Sequence, residues 1–148
     1  MTDITSIVKE SQVGRSDDSV GRWVCKFLDF VGDSIDTTSG VHEVITIPAN
    51  NFVAIGWFVV TTAFTSTSTS GTLQFKIGSE PMTGLMPANG TQLAAGDVVF
   101  LSPHDFEDVE SPALYKTSAD TLDVDIETNP ITAGKGYLIV LLIDLTNE

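Results

Sequence analysis

From Arg22 to Leu145 apolar residues recur with a period of two, and no other feature constrains the fold as much. Side chains on a strand alternate between the two faces of its sheet, so this period means strands, not helices. The pattern predicts strands at Arg22–Val31, Val41–Ile47, Phe52–Thr62, Thr72–Gly78, Asp97–Leu101, Ala113–Thr117, Thr121–Thr128 and Gly136–Leu145. Turn chemistry separates them, as in Gly32-Asp33-Ser34, Pro48-Ala49-Asn50-Asn51 and Thr132-Ala133-Gly134-Lys135. About eight short strands without a sustained helical period predict an all-β antiparallel sandwich, jelly-roll-like in its winding. The 148 residues fit one domain, large enough to bury its own core.

Two strands depart from simple alternation. Leu122, Val124 and Ile126 point one way and Asp123, Asp125 and Glu127 the other, which is an ordinary half-exposed pattern. The row of acids is expected to line a solvated sheet edge that discourages wrong strand pairing. In Phe52–Val60, by contrast, alternation puts Phe52, Phe58 and Val60 on one face and Val53, Ile55, Trp57 and Val59 on the other. In Tyr137–Ile143 both faces are apolar throughout. A two-layer sandwich covers one face of each sheet, so the second apolar face needs an extra layer or another chain. No helical segment is available as a layer, which favours another subunit. Trp57, Val59, Leu138, Val140 and Leu142 are the candidate oligomer-interface residues.

Residues 1–21 are polar, with Ile4, Ile7 and Val8 the grouped apolar residues, and are read as an N-terminal arm preceding a sandwich domain at 22–148. Charge divides a little further on, between residues 1–26 and residues 27–148. Lys9, Arg15, Arg22 and Lys26 balance Asp3, Glu10, Asp17 and Asp18, and the whole net charge of −13 falls on the rest. An acidic body repels phosphate backbones, so nucleic acid is not an expected partner. Neither is a membrane, because the longest apolar runs fall far short of the roughly 18 residues that span a bilayer. The start of the sequence lacks the pattern of a signal peptide, so synthesis in the host cytoplasm is expected.

The inventory for chemistry is thin. His42 and His104 are the two histidines and Cys25 the lone cysteine. No metal, nucleophile or cofactor motif occurs, so an enzyme is not expected and no catalytic, cofactor or metal residues are assigned. Cys25 is expected to be a small buried thiol. The acids of 105–110 lack the spacing of a dedicated calcium loop, and calcium there stays an open alternative. Trp23 and Trp57 lie in apolar strands, where core or interface packing is expected ahead of stacking on sugars.

The order of short phrases along the chain carries a resemblance. Phe27-Leu28-Asp29-Phe30 is followed by Ile45-Thr46-Ile47-Pro48-Ala49 and Val59-Val60-Thr61-Thr62-Ala63-Phe64. Leu73-Gln74-Phe75-Lys76-Ile77-Gly78, Tyr115-Lys116-Thr117-Ser118-Ala119-Asp120 and Ile131-Thr132-Ala133-Gly134-Lys135-Gly136-Tyr137-Leu138 come next. The succession, over roughly Trp23 to Leu145, resembles small tailed-phage capsid decoration or cement proteins of cyanophage type. That resemblance implies a homotrimer on the virion surface that binds the major capsid protein and bridges neighbouring shell subunits. It also implies an arm that grips the shell, here Ile4, Ile7, Val8, Arg15 and Arg22. The alternative is a glycan- or receptor-binding module of a phage tail or surface appendage, which would carry exposed aromatics on its loops.

Overall fold

The structure is a computed structural model that describes residues 21–38, 41–89, 91, 93–102 and 115–145. Among these there is no helix. The strands are β1 (Gly21–Asp29), β2 (Val41–Ile47), β3 (Asn51–Ser66), β4 (Thr72–Ile77), β5 (Glu80–Pro81), β6 (Met86–Pro87), β7 (Val98–Leu101), β8 (Tyr115–Lys116), β9 (Asp120–Glu127) and β10 (Ile131–Asp144). They form two antiparallel sheets. Sheet I runs β1-β10-β3-β7, with β8 pairing β3 beyond the main path. Sheet II runs β2-β9-β4-β5, with β6 also pairing β4.

The expected sandwich is therefore present, with ten strands among the described residues where alternation marked eight. The additional β5 and β6 are two residues each and contain Pro81 and Pro87. A proline cannot donate to a ladder, so such pieces survive only at an edge and leave no periodic trace. Between them Thr83 completes the edge of β4. Its hydroxyl accepts the Phe75 N–H at 3.1 Å, and the Met82 N–H reaches the Phe75 carbonyl at 2.8 Å.

The core lies between the sheets. Phe30, Phe58, Phe64 and Phe75 are fully buried, and Phe30 packs edge-on against Phe64 with centroids 4.8 Å apart. Leu28, Leu138, Val140 and Leu142 meet Ile47, Leu73, Ile77, Leu122 and Ile126 in the same buried cluster. Each such side chain contributes roughly 1.5–3 kcal/mol relative to exposure. Gly136 is required for this packing. A Cβ there would lie 2.5 Å from both the Phe58 ring and the Val59 carbonyl oxygen. Asn50 turns the chain from β2 into β3 with φ near +61°, a left-handed conformation that asparagine tolerates.

Irregularities in the ladders reassign several faces. The β3–β10 register shifts between Leu141–Ile55 and Leu142–Val53, so Ala54 is an extra residue, a β-bulge. The bulge reverses alternation upstream of it. Val53 turns into the core beside Leu142, and Phe52 turns outward opposite Ile143. This corrects the alternation-based placement of both residues. A second shift, between Glu43 and Ile45, buries Val44 and Ile45 together. The Lys26 ammonium donates to the Val44 carbonyl at 2.7 Å, tying the open margins of the two sheets.

The acidic row also needs correction. β9 is flanked by β2 and β4, so Asp123, Asp125 and Glu127 stand on an interior strand and not at an edge. They face outward from sheet II, where Asp125 accepts an ion pair from Lys76 at 2.9 Å.

Candidate functional site

The outward face of sheet I is the feature that the fold itself does not explain. Reading across the strands, β1 to β10 to β3 to β7, it forms rows. Trp23, Leu141 and Ile55 make one; Cys25, Ile139, Trp57 and Phe100 the next; Phe27, Tyr137, Val59 and Val98 a third. Ile143, Phe52 and Tyr115 extend it at one end. Among the described residues these rows contain no charged side chain. The Asp29–Lys135 pair, 3.3 Å apart, closes the opposite end. Two backbone N–H groups and Lys135 hold the Asp29 carboxyl below its ordinary value, with the Gly32 N–H the main cause.

The face is apolar and wet at once. Trp23, Val98 and Phe100 are each more than half exposed, and Phe27, Tyr137 and Tyr115 are exposed at 45, 42 and 40%. Aromatic contacts order it. Trp23 stacks on Trp57 with centroids 5.9 Å apart, Trp57 meets Phe100 edge-on at 6.2 Å, and Phe27 meets Tyr137 at 5.1 Å. Aromatics present roughly 150–250 Å² each, so the half-exposed ones alone offer on the order of 500 Å². A monomer's largest apolar patch is roughly 300–600 Å². Together with Val98 and the half-buried aliphatics, the face approaches the roughly 800 Å² that one partner contributes to a stable interface.

Of the interface residues expected from sequence, Trp57 and Val59 lie on this face. Leu138, Val140 and Leu142 do not. They are 0, 1 and 0% exposed in the core, and their neighbours Tyr137, Ile139 and Leu141 take the outward positions. Both parities of β10 are apolar, so alternation could not choose between them. The usable signal was Gly136, which shares parity with Leu138 and leaves room for a large core side chain opposite. Trp23, Phe27, Phe100 and Tyr137 were missed as face residues. Cys25, expected to be buried, is exposed on the same face.

Of the arm, Ile4, Ile7, Val8 and Arg15 lie outside the described residues. Gly21, assigned to the arm, is the first residue of β1. Arg22 sits on β1 beside a shallow recess shared with Pro48, Asn51 and Asp144. His104 and the acids of 105–110 also lie outside the described residues. A His42 ring nitrogen is 2.8 Å from the Thr37 carbonyl oxygen. Among the described residues no group of three or more His, Cys, Asp or Glu side chains could hold a metal ion.

The opposite outer face, on sheet II, is polar. Asp123 is buried there at 6% exposure and accepts the Thr121 hydroxyl at 2.6 Å. Burial pushes its carboxyl above the ordinary value, and Glu43 and Asp120 add to the rise. Glu43 stands directly across the ladder on β2 and Lys76 directly across on β4. Asp120 is held below its ordinary value, chiefly by Lys116 at 2.8 Å.

This fold occurs in phage capsids. A chain of the acidic stable capsid structure of Helicobacter pylori bacteriophage KHP30 superposes with a TM-score of 0.56 at 17% identity, covering 84% of this chain and 88% of that one. A chain of the cyanophage Pam1 capsid asymmetric unit gives 0.56 at 12% identity, covering 85% and 86%. No protein-family model matches the sequence, and no curated protein does. At these identities the likeness is one of fold.

Proposed function

We propose that this chain is a virion structural protein: a homotrimeric capsid decoration or cement protein that binds the major capsid protein on the outside of a phage head. The observation that carries the reading is the continuous uncharged face of sheet I, on a fold shared with chains of two phage capsid structures. The strand order supports the jelly-roll winding, since β1 pairs with β10 and β2 with β9 in nested fashion. The three sheet I faces would turn toward the threefold axis and bury one another. The acidic sheet II would face solvent, where its charge keeps unassembled trimers apart. The arm, residues 1–20 now that Gly21 belongs to β1, would hold the shell, and a trimer would engage several shell sites at once, which adds avidity.

The glycan-binding alternative asked for exposed aromatics on loops. The exposed Trp23, Phe27, Phe100 and Tyr137 lie instead on strands, in an aliphatic bed. Sugar hydroxyls need hydrogen-bonding partners beside the stacking ring, and this bed offers few. No enzymatic role is part of the proposal.

Two measurements test it. Multi-angle light scattering of the purified chain is expected to give a trimer mass. The chain is also expected to co-sediment with decoration-free capsids, and to do so less when residues 1–20 are removed. A monomer at high concentration would end the trimer reading, and absence from the capsid pellet would end the decoration reading.

A further inference from the structure

A flat apolar face glues surfaces together but does not fix their register. The Ala54 bulge supplies a feature that could. Where β3 bends, a recess of about 130 Å³ opens between it and β7. Its buried lining is Val53, Met82 and Leu101, and its rim is Ala54, Ile55 and Phe100. Ser102 brings the polar part of the rim, and its N–H already donates to the Met82 carbonyl at 2.8 Å. A recess with apolar walls and a spent donor takes an apolar guest. Its size is close to the roughly 150 Å³ cavity that accepts benzene.

The matching ring is rooted on the opposite margin of the same face and leans inward over β10. Trp23 is on β1, the edge strand, and 55% exposed, with one side of its ring against Trp57. The register puts Trp23 in one row with Leu141 and Ile55. Knob and recess are thus level along the strands, on opposite sides of the sheet. We infer that copies of this chain join head to tail, with the Trp23 ring of one copy seated in the recess beside Ala54 of the next. This rests on the homotrimer reading above. A contact between two different patches closes into a ring when the rotation allows, whereas a face meeting its own copy gives a twofold dimer. A second copy is the occupant because this chain carries both halves of the contact. Neither half is charged, so two bodies of the same sign meet without placing like charges together.

Sedimentation velocity on single and double variants tests the inference. Trp23→Ala and Ala54→Leu, which fills the recess, should each raise the concentration for half-assembly at least tenfold. Thermal melting is used to confirm the fold of each. The double variant should be no worse than the more severe single, because both remove one contact. Additive losses would overturn the inference. Should Ala54→Leu disturb the bulge, cysteine trapping gives the answer independently. In a Cys25→Ser background, Trp23→Cys combined with Ala54→Cys should yield disulfide-linked trimers on a non-reducing gel. Efficient cross-linking by Trp23→Cys alone would mean symmetric face-to-face pairing and overturn the ring. A variant pair that stays trimeric but loses capsid binding would assign the recess to the shell and overturn it too. A wild-type monomer at every concentration would instead sink the homotrimer reading itself.

Discussion

On sheet I, Trp57 is flanked across the strands by Ile139 and Phe100; on sheet II, Asp123 is flanked by Glu43 and Lys76. Both residues point away from the same core, from interior strands of sheets of similar width. Their surroundings differ in kind, apolar around Trp57 and charged around Asp123. An exposed indole in an aliphatic bed gains nothing for the monomer, since the hydrophobic effect acts only when area leaves water. On sheet II the carboxylates are met by polar groups, Asp125 by Lys76 and the buried Asp123 by the Thr121 hydroxyl. One sheet therefore shows water an apolar outer face and the other a polar one.

The largest expected effect separates the two sides of a single strand. Leu138→Ala should lower monomer stability by about 2–5 kcal/mol, because it opens a cavity in the core. Ile139→Ala, one residue on, should cost the monomer only about 0.5 kcal/mol while weakening self-association. Urea unfolding in dilute solution, with light scattering of the same samples, checks the pair. Equal losses would mean that β10 has no inner and outer side.

Next in size, Trp57→Asp would place a charge at the centre of the apolar face. Association should fall at least tenfold, which is about 1.4 kcal/mol, with the thermal transition of the dissociated chain little changed. Retained assembly would mean that sheet I is not the surface that joins copies.

Sheet II offers a pH test. Burial raises the Asp123 carboxyl above its ordinary 3.8. Between that value and the raised one, the native chain holds a proton that the unfolded chain has released. Stability from this group is therefore fully present below 3.8 and lost as pH rises through the raised value. Asp123→Asn should abolish that slope. At neutral pH it should stabilise by about 0.2–1 kcal/mol by removing a like-charge pair with Glu43. Unfolding curves of both proteins from pH 3 to pH 8 measure the difference, and identical slopes would refute it. The smallest effect belongs to Lys76→Ala. Losing its partly exposed pair with Asp125 should cost no more than about 1 kcal/mol, less at high salt.

Much of this was legible in the residues, and the failures cluster where alternation had nothing to contrast. β4 and β9 mark their faces with Gln74, Lys76 and the acids, and both orientations follow from the sequence. β10 has no such marker between Tyr137 and Ile143, so the buried Leu138, Val140 and Leu142 looked like interface residues. β1 is positively misleading. Arg22 and Lys26 alternate with Trp23, Cys25 and Phe27, which points the aromatics inward in any pattern-based reading. In the fold the aromatics face out. Lys26 can occupy an inward position because β1 is an edge strand, where a long side chain reaches past the core to the Val44 carbonyl.

Period two, the turn residues and the distribution of charge determined by themselves that this chain is an acidic β-sandwich with more apolar surface than one core can use. Only the tertiary structure decided which surface that is. The choice depends on the bulge at Ala54, which reverses the faces of Phe52 and Val53, and on strand order, which puts β1 at the edge and β9 inside. Both are set by pairing between residues far apart in the chain, and a period read along one strand carries no information about its neighbours.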